Sequence, residues 1–166
     1  MEKPRISKEE FNERLERIRA KMQEADVQAI FIYGDEFRKE NLRYVSNYWP
    51  IFDRGAFLAG LEGEPVMLTA PESKAVAEEL CCWSDLRNVP DICSGYVEDT
   101  IDYPFANYYS FAQIADELRK KGRFERMGIV GMDAMPHDLY EAVEKGFGAE
   151  LIGMDKVLYQ MREVKS

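Results

Sequence analysis

The side chains that could do chemistry in this sequence are few and scattered. The only histidine is His137, which follows Pro136 at an expected helix start, so we read it as a surface residue of the first turn rather than a metal ligand. Metal centres in hydrolases need several His, Asp or Glu side chains within about 2.0 to 2.6 Å of the ion. Asp99 and Asp102 lie three residues apart, but in an irregular stretch where we expect them to be solvated. The sequence predicts no catalytic residue and no metal site in this chain.

Motifs for nucleophilic catalysis and phosphate binding are missing as well. No Gly-x-Ser-x-Gly run presents a serine, and neither glycine-rich phosphate-binding motif occurs. Cys81, Cys82 and Cys93 are an odd number of thiols, which does not indicate a disulfide framework. Free Cys behaves as a small apolar residue, so we expect buried, unreactive thiols. A thiol-dependent function of Cys81 and Cys82 is the minor alternative.

One segment carries residue types suited to ligand binding, namely Trp49, Phe52, Asp53 and Arg54. These residues precede a predicted strand and should form the tip of a loop. An arginine there can pair with a carboxylate, and aromatic rings can wall a pocket. The alternative is a solvated loop in which Trp49 and Phe52 fold back as a local apolar plug.

Hydrophobic periodicity predicts the elements that must position this loop. A period of about 3.6 residues indicates a helix, and a short continuous apolar run indicates a strand buried on both faces. The predicted elements are a capped helix over residues 8–24, a buried strand over 27–33, a hairpin of 56–61 and 65–69, a helix from Pro71 with Ala75, Val76 and Leu80 on its apolar side, a short strand and long loop within 85–109, a helix ending at Gly122, a strand over 127–131, a helix from Pro136, and a strand over 149–152. Alternating strands and helices with a hairpin predict an α/β fold with a mixed β-sheet flanked by helices.

The last predicted helix carries Val157, Leu158, Met161 and Val164 on one face. No Gly, Asn or Pro closes it, although such residues usually mark a helix end. We therefore expect residues 1–166 to be a single domain that ends at a junction with a further domain.

Composition narrows the class of protein. The net charge of −9 argues against nucleic-acid binding, because a phosphate-binding surface needs clustered Lys and Arg. No apolar run approaches the roughly 18 residues that a membrane span requires. The charged N-terminus lacks the apolar core of a secretory signal. We expect a cytoplasmic protein without a membrane or nucleic-acid partner.

Two short segments point to a family. Residues 41–48 read NLRYVSNY, and residues 161–166 read MREVKS. With a capped helix and a strand before the first segment and a hairpin after it, the chain resembles the N-terminal domain of the creatinase, prolidase and aminopeptidase P family, whose corresponding patterns are N-I-x-Y-L-T-G-F and L-R-x-I-K-S. Asn47 stands where the family commonly has Gly, and Asn tolerates positive φ. Residues 49–55 are more similar to creatinase-type members than to many proline peptidases.

The resemblance implies a division of labour between domains. It implies a ribonuclease H-like fold for this chain and a separate C-terminal pita-bread catalytic domain, in which two Asp, one His and two Glu hold two divalent metal ions (Mn, Co or Zn). None of those ligand positions lies in this chain, which is then non-catalytic and needs no cofactor of its own. The domain would contribute to a homodimer and to the rim of the partner subunit's active site.

The same resemblance implies three alternatives for the whole protein. The first is an Xaa-Pro dipeptidase or aminopeptidase that acts on small peptides. The second is a creatinase-like amidinohydrolase that acts on an amidino substrate. The third is a catalytically dead protein-interaction module of the same fold.

Overall fold

A computed structural model describes residues 6–51, 53–93 and 108–164. Helices and strands alternate through this part of the chain. In order they are α1 (Lys8–Glu24), β1 (Ala29–Asp35), α2 (Glu40–Ser46), β2 (Arg54–Gly60), β3 (Val66–Thr69), a 3₁₀ turn (Pro71–Ser73), α3 (Lys74–Leu80), β4 (Asp85–Asn88), a second 3₁₀ turn (Pro90–Ile92), α4 (Phe111–Lys121), β5 (Arg126–Val130), α5 (His137–Phe147), β6 (Glu150–Gly153) and α6 (Asp155–Glu163).

The strands form one six-stranded sheet in the order β4-β3-β2-β1-β5-β6. β2 runs antiparallel to both neighbours, β1 and β3. The β1–β5, β5–β6 and β3–β4 pairs are parallel. The predicted mixed sheet and the predicted hairpin of β2 and β3 are therefore confirmed.

Two apolar cores cover the two faces of the sheet. One core joins the sheet to α1, α2, α3 and α6, and it includes Ile30 and Ile32 of β1. The other joins the sheet to α4 and α5, and it includes Phe31 and Tyr33. Successive side chains of a strand point to opposite faces, so a central strand between two cores must be apolar at every position. This confirms the reading of the β1 sequence as a strand buried on both sides.

The first helix spans Lys8–Glu24 as predicted, and Ser7 Oγ accepts a hydrogen bond from the Glu10 amide at 3.3 Å. The predicted strand begins two residues late, at Ala29. Asp26 adopts a left-handed conformation with φ of 51°, and the Val27 amide donates to the Met22 carbonyl at 3.0 Å. Val27 is therefore buried within the turn that ends α1 and does not belong to the strand.

Two details of the predicted apolar faces are wrong. The segment from Pro71 starts as a 3₁₀ turn, which rotates the following helix, so that Ala77 is buried and Ala75 is exposed. Val164 lies beyond the last residue of α6 in extended backbone and is 68% exposed, while Leu158 is buried. Asp99 and Asp102 lie outside the described residues. Among the helices that the structure describes, none is long and apolar enough to cross a membrane.

The contact between β1 and α2 allows a test of the fold. A Cβ placed on Gly34 would lie 2.8 Å from Leu42 Cγ and 2.9 Å from the Arg38 carbonyl oxygen, so Gly34→Ala forces a backbone shift. We expect a loss of about 1–3 kcal/mol in the free energy of unfolding, measured by urea denaturation.

Gly153→Ala is the matched control, because no heavy atom lies within 4 Å of its added Cβ. Equal unfolding midpoints for the two variants would contradict the close packing of α2 on β1.

Candidate functional site

The carboxyl ends of several strands meet at one edge of the sheet. β1 ends at Asp35, β3 at Thr69, β4 at Asn88 and β5 at Val130. Because β2 is antiparallel to β1, it begins at this same edge, where Arg54 pairs with Asp35. Open α/β sheets bind ligands at the carboxyl ends of their strands. We call this region the carboxyl edge, and the segment of residues 49–54 that enters β2 there the rim loop.

The rim loop begins where α2 ends. Asn47 follows the helix in a left-handed conformation with φ of 61°, which Asn tolerates, and its side-chain amide donates to the Leu80 carbonyl at 2.9 Å. Tyr48 is fully buried, and its backbone amide donates to Ser46 Oγ at 3.2 Å. Burial raises the pKa of Tyr48 to about 12, so this phenol stays neutral. The start of the loop is therefore fixed.

Trp49 is half-buried, and the exposed Arg43 guanidinium lies over its ring, with the guanidinium carbon 4.8 Å from the ring centroid. This cation–π contact ties the first side chain of the rim loop to α2. Phe52 lies outside the described residues. The Trp49 ring is therefore packed partly against the surface of the domain. Its role in ligand binding stays a prediction.

Asp53 does not sit at the loop tip that the sequence predicts. It is 3% exposed, and its Oδ1 accepts the Arg54 amide at 2.8 Å. Partial burial raises the pKa of Glu72, and a hydrogen bond to the neighbouring Asp53 carboxyl raises it further. Arg54 is half-buried, and its Nη1 lies 3.5 Å from the Cys93 carbonyl oxygen that accepts its hydrogen bond. Asp53 therefore shapes the backbone that presents Arg54.

Tyr33 and Asp35 also belong to this edge, although the sequence reading did not single them out. The Tyr33 hydroxyl donates to Asp35 Oδ2 at 3.1 Å. Asp35 Oδ1 accepts the amides of Phe37 and Arg38 at 2.8 and 2.7 Å. Burial, and then the charge of Asp35, raise the pKa of Tyr33, while Arg54 opposes them. The sequence signal that could have identified Asp35 is a carboxylate that directly follows the predicted buried strand.

The two segments that carry the family pattern, residues 41–48 and the described part of residues 161–166, also meet in space. Arg162 Nη1 of α6 donates to Asn41 Oδ1 of α2 at 2.7 Å, and the Tyr44 hydroxyl lies 3.4 Å from the Met161 carbonyl oxygen that accepts its hydrogen bond. Residues 41–48 and 161–164 therefore contact each other through α2 and α6.

The three cysteines are free, with Cys93 buried and Cys81 and Cys82 half-buried. Burial raises the pKa of Cys81 to about 11 and the pKa values of Cys82 and Cys93 to about 12. A thiol with such a pKa is almost entirely protonated at neutral pH and is a poor nucleophile. These values argue against the minor thiol-dependent alternative.

Metal ligation finds no support in the part of the chain that the structure describes. Within it, no group of three or more His, Cys, Asp or Glu side chains is arranged to hold a metal ion. The His137 side chain is 86% exposed at the start of α5, with Nε2 3.6 Å from Glu141 Oε1. The described residues do not fit a pair of divalent metals, and we derive no catalytic step through such ions in this chain.

Comparison with known proteins decides the family. A family model described as the Creatinase/Prolidase N-terminal domain matches residues 14–164. The chain belongs to this family. For this creatinase/prolidase N-terminal domain, a search of curated protein sequences finds no match.

Solved structures share its fold. The prolidase from Pyrococcus horikoshii OT3 superposes with a TM-score of 0.62 at 17% identity, over 93% of this chain and 36% of that one. The dipeptidase PepE from Mycobacterium ulcerans gives 0.64 at 19% identity, over 98% of this chain and 39% of that one. The creatinase/prolidase N-terminal domain of an X-Pro dipeptidase from Streptococcus pyogenes gives 0.61 at 12% identity, over 90% of this chain and 99% of that one.

This creatinase/prolidase N-terminal domain thus spans little more than a third of the Pyrococcus and Mycobacterium proteins, and nearly all of the Streptococcus chain. At these identities the likeness concerns the fold alone.

The contact between Glu72 and Asp53 predicts a pH dependence of stability. Because the pKa of Glu72 is raised in the folded state, its protonated form favours folding below its ordinary value of 4.5, and that contribution is lost as the pH rises through the folded-state pKa. Glu72→Gln stays neutral throughout. We expect its unfolding midpoint in urea to rise relative to that of the original chain between about pH 4.5 and pH 7.

Glu79→Gln, a substitution at an exposed position of α3, is the control for the removal of one carboxyl group from this part of the chain. A constant difference between Glu72→Gln and the original chain across this range would contradict the coupling of the two carboxyls.

Proposed function

We propose that this chain is the non-catalytic N-terminal domain of a two-metal hydrolase, an Xaa-Pro dipeptidase or aminopeptidase. The observation that carries the proposal is the family match over residues 14–164. A further observation supports it: the prolidase and the dipeptidase with the same fold are more than twice as long as this chain.

The proposal assigns the chemistry to a C-terminal catalytic domain that follows α6. Two divalent metal ions there, Mn, Co or Zn, would activate water for attack on the amide bond. The chain's own part is to join a homodimer and to complete the rim of the partner subunit's active site. The protein works in the cytoplasm on small peptides, without a nucleic-acid or membrane partner, in line with its net charge of −9.

Within the rim loop, Arg54 is the residue suited to bind a substrate carboxylate. A guanidinium binds a carboxylate through two parallel hydrogen bonds, and this one is carried on the first residue of a central strand. Asp53 positions the Arg54 backbone rather than touching substrate, because it is buried. Trp49 and Phe52 stay the aromatic candidates from the sequence, and Phe52 lies outside the described residues. Creatine-type amidino compounds also carry a carboxylate, so Arg54 fits the creatinase-like alternative equally well.

The first test compares this chain with the chain extended through the following domain. We expect the 166 residues alone to show neither tight Mn²⁺ binding, measured by calorimetry, nor hydrolysis of an Xaa-Pro dipeptide. The extended protein should show both. Hydrolysis of creatine instead would select the amidinohydrolase. Loss of both metal binding and hydrolysis would select the interaction module and refute the proposed function.

The second test substitutes Arg54 in the extended protein. We expect Arg54→Ala to raise KM for an Xaa-Pro dipeptide about tenfold or more, because a charge-assisted hydrogen bond to the substrate is lost. Arg54→Lys should recover part of this loss.

Arg17→Ala removes an exposed arginine on α1 and serves as the matched control, with unchanged kinetics. An unchanged KM for Arg54→Ala would remove Arg54 from the rim.

A further inference from the structure

The last helix, α6, and the rim loop are connected through α2. We propose that Arg162 and Asn41 are positioning residues that transmit the placement of α6 to the rim loop. This inference rests on the proposed function, in which a catalytic domain follows α6 and the rim loop meets substrate. Its physical basis has three steps. These are the contact of α6 with α2, the dependence of α2 on such contacts for its position, and the contact of α2 with Trp49.

The first contact joins α6 to α2. Arg162 lies in the last turn of α6, and its Nη1 donates to Asn41 Oδ1 at 2.7 Å. Asn41 is only 4% exposed, so its side chain has little water to replace a lost partner. Hydrogen bonds that involve an ionised group are stronger than neutral ones. The Tyr44 hydroxyl, which donates to the Met161 carbonyl at 3.4 Å, adds a second tie between the two helices.

The second step is that α2 depends on such ties for its position. It has only seven residues, and a helix this short is not stable by itself. Besides α6, it is held by Arg14 of α1, whose Nη1 donates to the Tyr44 carbonyl at 2.9 Å, and by Trp83, whose indole N–H donates to the Val45 carbonyl at 2.8 Å. Removal of one tie should therefore loosen α2 without unfolding the domain.

The third contact joins α2 to the rim loop. The Arg43 guanidinium carbon lies 4.8 Å from the centroid of the Trp49 ring. The chain leaves α2 at Asn47 in a left-handed conformation and passes into the buried Tyr48. No flexible linker separates the helix from the loop, so a shift of α2 moves the start of the rim loop with it. A displacement of about 1 Å at a substrate-binding group is enough to reduce activity strongly.

Amide hydrogen exchange of the 166-residue chain tests this connection directly. The reporters are the amides of Asn47, Tyr48 and Arg54, which donate to the Arg43 carbonyl, Ser46 Oγ and Asp53 Oδ1. We expect Arg162→Ala to speed exchange at Asn47 and Tyr48 by about tenfold, with a smaller increase at Arg54. Exchange at β1 amides should be unchanged, since the core stays folded.

Arg119→Ala is the matched control. The Arg119 guanidinium also bridges two helices, from α4 to the Phe147 carbonyl at the end of α5, but on the opposite face of the sheet. It should speed exchange at Gly148, whose amide donates to the Glu144 carbonyl, and leave Asn47 and Tyr48 unchanged. Arg162→Ala should speed exchange at Asn47 and Tyr48 and leave exchange at Gly148 unchanged.

Two further variants separate positioning from general loosening. Arg162→Lys retains a cationic donor and should restore most of the protection at Asn47 and Tyr48. Combining Asn41→Ala with Arg162→Ala should accelerate exchange no more than the larger single effect, since both remove the same bond. Additive effects, or exchange at Asn47 and Tyr48 that is unchanged in Arg162→Ala, would overturn the inference.

The outcome is independent of catalysis. Coupling in this chain together with an inactive extended protein would refute the proposed function and leave the contact intact. An active extended protein without coupling would refute only the positioning role of Arg162 and Asn41.

Discussion

The pairing of β1 with β2 is the constraint on which the rest of the structure depends. β1 lies in the middle of the sheet, antiparallel to β2 and parallel to β5, with an apolar core on each face. A one-residue slip in this register would turn Phe31 and Tyr33 toward the wrong core. The register therefore fixes Arg54 opposite Asp35, and it brings the rim loop to the carboxyl edge of the sheet.

Polar groups gather at that edge because the sheet ends there and its backbone and side chains need partners. Asp35 accepts two backbone amides of the following turn and the Tyr33 hydroxyl. Asp53 accepts the Arg54 amide from a buried position. Each carboxylate satisfies donors that folding would otherwise leave unpaired, at a cost of about 1–3 kcal/mol for each buried group. The same groups give the edge its local charge.

The described residues contain three free thiols and one histidine, and none of these groups belongs to a cluster suited to a metal ion. Burial keeps the thiols protonated, and the exposed His137 faces a single glutamate. What the chain offers instead is Arg54, held near the Cys93 carbonyl, and Trp49, whose ring lies under an arginine of the short helix α2 that also contacts α6. These features are compatible with the division of labour that we propose.

The sequence by itself determined the order and type of the elements other than α2 (Glu40–Ser46), because they depend on local periodicity and on caps. The helix Lys8–Glu24, the hairpin and the doubly buried strand follow from such short-range patterns. Residue type permits the positive φ of Asn47, but the structure was needed to show it. The family also followed from the sequence, since residues 41–48 and 161–166 and the elements between them suffice to place the chain.

Only the tertiary structure decided which residues meet. Burial of Asp53 depends on the packing of elements distant in sequence, and no local pattern encodes this. Arg162 and Asn41 are 121 residues apart, and their hydrogen bond exists because two helices pack on the same face of the sheet. Periodicity records which side of an element is apolar, whereas contacts between polar side chains depend on the packing of whole elements.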